Sequence, residues 1–182
     1  MTRRLPLIFT LLGFFGTVLP AVAAAPLPSA TTALVKELTD LLEKQKLDTV
    51  VARLDGDTFA AALYIPGNEL LALSAKYTAP AFLNEKILGR KYRDAYADLS
   101  TTQAPDSKLL IEDVKADGLR AQPGKGEAAD IVTRGVGAPF PLDGKWKDRK
   151  IPEGDYTKMF EDAETSYRKI LEALIAELKK SR

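Results

Sequence analysis

The stretch from Thr49 to Ala75 reads TVVARLDGDTFAAALYIPGNELLALSA, three β-favouring runs separated by two turn signals. Thr49 to Leu54 is the first run, Asp55-Gly56-Asp57 the first turn, and Thr58 to Ile65 the second run. Phe59, Ala61, Leu63 and Ile65 share one face of that run, because successive strand side chains point to opposite sides. Pro66-Gly67-Asn68 is the second turn, and Leu70 to Ala75 continues as a third strand. Three strands on two short turns make an antiparallel meander. Ala60, Ala61, Ala62, Ala72 and Ala75 leave little side chain on its surface, so a partner layer must approach closely. A helix packed on the sheet is the ordinary partner, and a flat ligand is the other.

Upstream, Ser29 or Thr31 can cap a helix running to about Gln45, with Leu34, Leu38, Leu41 and Leu42 at helical spacing. Downstream, Thr78 can cap a second helix that tolerates Pro80 in its first turn, turns Phe82, Leu83 and Ile87 inward, and stops at Gly89. Tyr92 to Ser100 fits either a helix or a strand. Read as a strand, it forms a hairpin with Lys108 to Val114 across the polar Thr101 to Ser107. Asp117-Gly118 ends that hairpin, and Ala121 to Ala128, with Pro123, Gly124 and Gly126, reads as an exposed loop. Asp130 to Thr133 is a short strand, Gly135 to Pro141 is irregular, and Leu142 to Trp146 is a tight turn. From Asp155 a long helix carries Tyr156, Met159, Phe160, Ala163, Tyr167 and Ile170 on one face, continued by Leu171, Leu174, Ile175 and Leu178. Glu161, Asp162 and Glu164 come early and Lys179 and Lys180 come late, as the helix dipole favours. The class is α+β.

The first residues read as an export signal. Arg3 and Arg4 precede an apolar run from Leu5 to Leu19, Pro20 breaks it, and Ala21-Val22-Ala23 is an A-x-A cleavage site. The run is shorter than the roughly 20 residues of a bilayer span. With no cysteine anywhere, no lipid attachment site follows. Cleavage is expected after Ala23 or Ala24, giving a signal peptide over 1–24 and one domain over 25–182. The protein is then expected in the periplasm of a bacterial envelope or in the medium, with no membrane span after cleavage. Losing Arg3 and Arg4 from 26 basic and 25 acidic residues turns the net charge from +1 to −1. A near-neutral, interspersed surface offers no field for nucleic acid.

Histidine and cysteine are both absent. That excludes Ser-His-Asp and Cys-His nucleophiles, a histidine base, thiol redox chemistry, and His- or Cys-ligated zinc or haem. Carboxylate chemistry, Lys or Tyr acid–base roles, oxygen-ligated cations and organic cofactors remain.

Over roughly Leu47 to Leu119 the element order resembles the FMN-binding split barrel of pyridoxamine-phosphate-oxidase-like proteins. The residues concerned are TVVARLDGDTFAAALYI, then LLALSAKYTAPAFLNEK, then RDAYADLS and SKLLIEDV. The resemblance implies an antiparallel split-barrel-like sheet with an N-terminal, a mid-chain and a long C-terminal helix. It also implies an FMN phosphate held after the third strand, where this chain offers Ser74, Lys76, Thr78 and Lys86. The family's Ser-Arg-Lys run is missing here, and the second strand carries Ala60, Ala61 and Ala62 and no basic residue where the family often carries basic ones.

Other motifs have plainer readings. Glu112-Asp113 with Asp117-Gly118 lacks the D-x-D-x-D-G loop of a Ca²⁺ site and reads as a solvated turn. Gly124-Lys125-Gly126 lacks P-loop spacing. Trp146, between Lys145 and Lys147, reads as an amphipathic cover for a sheet edge or a pocket mouth. Tyr64, Tyr77, Tyr92 and Tyr96 could stack on a ring or simply pack half-buried on strands. Three expectations follow. The preferred one is a non-catalytic envelope protein that binds a small flat ligand or an envelope protein. The second is an FMN-dependent oxidoreductase, and the third an assembly protein whose last helix forms a homodimer.

Overall fold

The computed structural model describes residues 29–56, 58–76, 107–135 and 137–180, with the backbone alone at 76, 107 and 108. Helix α1 (Thr32–Gln45) leads into strands β1 (Thr49–Asp55), β2 (Thr58–Ile65) and β3 (Glu69–Lys76). After them come β4 (Ser107–Val114), β5 (Ile131–Arg134), the two-residue β6 (Phe140–Pro141) and the long helix α2 (Glu153–Lys180). The six strands pair antiparallel in strict chain order, β1 to β6. Among the described residues β1 does not pair with β6, so the sheet stays open and does not close into a barrel. The expected mid-chain helix at residues 78–89 and the signal peptide at 1–24 lie outside the described residues.

The meander forms as its turns dictate, with Thr49 opposite Leu63 in β1–β2 and Thr58 opposite Lys76 in β2–β3. The strand expected at residues 92–100 lies outside the described residues. The described neighbours of β4 are β3, paired from Glu69↔Val114 to Ser74↔Leu109, and β5, paired from Leu109↔Arg134 to Glu112↔Ile131. A strand has two hydrogen-bonding edges, and both edges of β4 are taken. The segment 135–141, expected to be irregular, ends in β6, where Val132 faces Phe140.

Strand alternation divides the sheet into two buried faces. Val50, Ala52, Ala60, Ala62, Ala72 and Ile111 face the helices, and the alanines let the helices sit close. Ala61, Leu63, Leu71, Leu73, Ala75 and Leu110 bury the opposite face. On α1, Val35, Leu38, Leu41 and Leu42 are buried and Leu34 is only partly so. On α2, Tyr167, Leu171 and Leu174 are fully inaccessible, whereas Met159 and Phe160 are only half-buried. Each buried leucine or isoleucine stabilises the fold by roughly 1.5–3 kcal/mol, so the apolar stripe of α2 belongs to the core of a single chain.

Helix α2 crosses the sheet from its β6 edge to its β1 edge. Near its start the Tyr156 ring lies 6.1 Å from that of Phe140, and the Tyr156 hydroxyl donates to Ala121 O at 2.5 Å. Near its end Gln45 Nε2 of α1 donates to Leu178 O at 3.1 Å. Among the described residues no helix is long and apolar enough to cross a membrane.

Candidate functional site

Crossing the strands, α2 leaves a cleft of about 550 Å³ between one of its flanks and one end of the sheet. The sheet contributes Asp55 from β1, Thr58 from β2, Ser74 from β3, Leu109 from β4 and Arg134 from β5. The helix contributes Ser166, Lys169, Ile170 and Ala173, which recur at i, i+3, i+4 and i+7 along one flank, with Glu172 beside them. Register explains the sheet side. Ser74 lies opposite Ala60 and Leu109, Leu109 lies opposite Arg134, and Asp55 lies opposite Thr58, so neighbouring strands deliver these positions to one end.

Leu54, Leu109, Ile170 and Ala173 make the cleft partly apolar. Ser74 is its buried polar point. The residue is only 7 % exposed yet lines the cleft, and its hydroxyl is not among the fully enclosed polar atoms left without a partner. A serine hydroxyl can donate and accept, so Ser74 offers both to whatever fills the cleft. Asp55, Arg134, Lys169 and Glu172 stand exposed at the rim, and none forms an ion pair among the described residues. Beyond Arg134 lies a smaller apolar cavity of about 170 Å³, lined by Val132, Phe140 and Met159.

Of the residues that the sequence assigned to a flavin phosphate, Ser74 lies in this cleft. Lys76 is the last residue of β3, opposite Thr58; Thr78 and Lys86 are outside the described residues. The sequence reading missed all four rim charges. They come from three separate elements, and only the strand order brings them together. The one sequence signal for them is the spacing of Ser166, Lys169, Ile170 and Ala173 on the flank of α2 beside its apolar stripe.

A second polar cluster is fully enclosed. Asp113 and Asp130 are 0 % and 1 % exposed. Asp113 accepts hydrogen bonds from Asp117 N at 3.1 Å, Gly118 N at 3.0 Å and the Tyr167 hydroxyl at 2.9 Å. Asp130 accepts from Val114 N at 2.9 Å and Arg120 N at 2.8 Å. Burial, reinforced by the neighbouring Asp130, pushes the Asp113 carboxyl up to about 7. Burial likewise lifts Asp130 to about 6, against the pull of its amide donors and Arg120. The hydroxyl of the enclosed Tyr167 is raised by burial and by Asp113. These carboxylates tie down the β4–β5 connection, so in the turn read from sequence as solvated Asp113 and Gly118 are buried and Asp117 is partly exposed. No group of three or more acidic residues suited to a metal ion occurs among the described residues.

The remaining motifs are structural. Gly124 N donates to Glu127 Oε2 at 3.0 Å, and Glu127 also pairs with Lys115 and Arg120. Half-buried Trp146 carries Lys147 over its ring at 4.9 Å. The buried Tyr64 donates its hydroxyl to Glu43 Oε1 at 2.8 Å; Tyr77, Tyr92 and Tyr96 lie outside the described residues.

No family model, no curated protein and no solved structure matches the chain.

Proposed function

We propose that the chain is an exported, non-catalytic envelope protein that binds a small ligand in the cleft between α2 and the sheet. The observation that carries this reading is the cleft itself, partly apolar, lined by the little-exposed Ser74 and rimmed by charged side chains. A cleft of about 550 Å³ falls within the range of small-molecule sites. The absence of histidine and cysteine from the chain favours binding over most hydrolytic or redox chemistry. The Arg3-Arg4, Leu5–Leu19 and Ala21-Val22-Ala23 pattern supports export. N-terminal sequencing of the protein from a periplasmic fraction tests that part, with residue 24 or 25 expected first; an intact Met1 would overturn it.

The binding test uses 8-anilinonaphthalene-1-sulfonate, an amphipathic fluorescent probe. Its fluorescence should rise with the wild-type protein and stay at background with Ala173→Trp, which fills the cleft from the helix side. Equal fluorescence with both would place the probe elsewhere and count against the cleft.

A second reading, the FMN-dependent oxidoreductase of split-barrel descent, is favoured by Ser74, a predicted phosphate contact that lines the cleft. The cleft itself suits FMN poorly. No aromatic side chain among the described residues lines it, and Asp55 and Glu172 oppose a phosphate dianion at the rim. A visible spectrum of the purified protein, before and after adding FMN, separates the readings. The ligand-binding account expects a colourless protein that ignores FMN, and a flavin band released on denaturation would reverse that choice.

A further inference from the structure

We infer that the ligand is an extended zwitterion, a free peptide of three or four residues, lying across the strand ends with its carboxylate toward Arg134 and its ammonium toward Asp55. This inference rests on the cleft being the binding site, as proposed above. Asp55 belongs to β1 and Arg134 to β5, four strand spacings apart, which is about 19 Å at ~4.8 Å per spacing. The helix repeats that polarity. Because α2 runs from the β6 side toward β1, Lys169 comes nearer the Arg134 end and Glu172 follows it toward the Asp55 end. The cleft therefore has a cationic end and an anionic end, and none of these four side chains is ion-paired among the described residues.

A ligand with one charge leaves the opposite pair facing it unused. A single anion gains from Arg134 and Lys169 and loses from Asp55 and Glu172, whereas a zwitterion of the right length gains from both. Length then selects the class. Once the Asp55 and Arg134 side chains reach inward from their strands, the gap left suits an extended tri- or tetrapeptide, which spans roughly 10–14 Å at about 3.3–3.6 Å per residue. Between the ends, the hydroxyl of Ser74 can bond a peptide N–H or C=O, and Leu109 and Ile170 offer apolar contact to small side chains.

The test is calorimetric titration of the full-length chain with tetra-alanine, N-acetyl-tetra-alanine and tetra-alanine amide. Free tetra-alanine should bind, and blocking either end should weaken binding at least tenfold. Arg134→Gln should erase the penalty for amidation, and Asp55→Asn the penalty for acetylation. Both residues are exposed, so neither change disturbs the core. Equal binding of blocked and free peptides, or dependence on the carboxylate alone, overturns the zwitterion. If no peptide binds but the naphthalene sulfonate still enters the wild-type cleft and not Ala173→Trp, the cleft stands and the peptide is wrong. If the sulfonate also fails, both readings fall.

Discussion

Asp113 shows what a single buried group does to the whole chain. Its carboxyl is raised to about 7 and that of Asp130 to about 6, so the folded state holds their protons more tightly than the unfolded chain does. Their contribution to stability is fully present below about pH 4, the ordinary carboxylate range, and is lost as pH rises through 6 to 7. Glu127 and Asp143 work in the opposite sense. Hydrogen bonds from Lys115 and from Arg149, respectively, hold each near 2, so their contribution is lost only as pH falls toward that value. Thermal melts from pH 4 to 8 should show Tm falling, and Asp113→Asn should flatten that slope while its amide keeps a bond to Tyr167. An unchanged slope would mean that Asp113 is ionised in the folded state. Gly118 gives the second residue-scale expectation. Its φ is +96°, and a Cβ there would lie 2.7 Å from Thr32 N. Gly118→Ala should therefore cost at least about 2 kcal/mol in denaturant unfolding; a loss below about 0.5 kcal/mol would contradict it. The sequence marked Asp117-Gly118 as a turn but gave no sign that Gly118 is buried. An aspartate at the end of LLIEDV looks alike whether water or Tyr167 faces it.

At the scale of elements, local pattern and structure agree wherever pairing is between neighbours in the chain. The β1–β2–β3 meander is set by two turns of a few residues, and α1 and α2 by stripes of leucine, isoleucine and tyrosine. The neighbours of β4 could not be read in the same way. Which strand takes an edge is a long-range choice, and β4 pairs with β3 across residues 77–106. The stripe on α2 was legible as apolar, but periodicity alone could not say whether it closed one domain or joined two. Burial of Tyr167, Ile170, Leu171 and Leu174 against the sheet of the same chain answers that. A chain ending at Gly154 should lose cooperative unfolding by circular dichroism, and Leu174→Ala should cost about 2–5 kcal/mol. A folded, monomeric truncated chain would make α2 an assembly helix instead.

At the scale of the molecule, the cleft exists only because an open sheet in chain order meets a helix laid across its strands. Ser74 was within reach of the sequence, as a hydroxyl ending the third strand. Asp55, Arg134, Lys169 and Glu172 were not, since no motif links them and each alone reads as a solvated charge. Ligand binding in this cleft is tested most directly by amide nuclear magnetic resonance on the ¹⁵N-labelled chain, titrated with 8-anilinonaphthalene-1-sulfonate. The account predicts saturable shifts confined to Asp55, Thr58, Ser74, Leu109, Arg134 and residues 166–173. Shifts clustered elsewhere on the surface, or none at all, would contradict it.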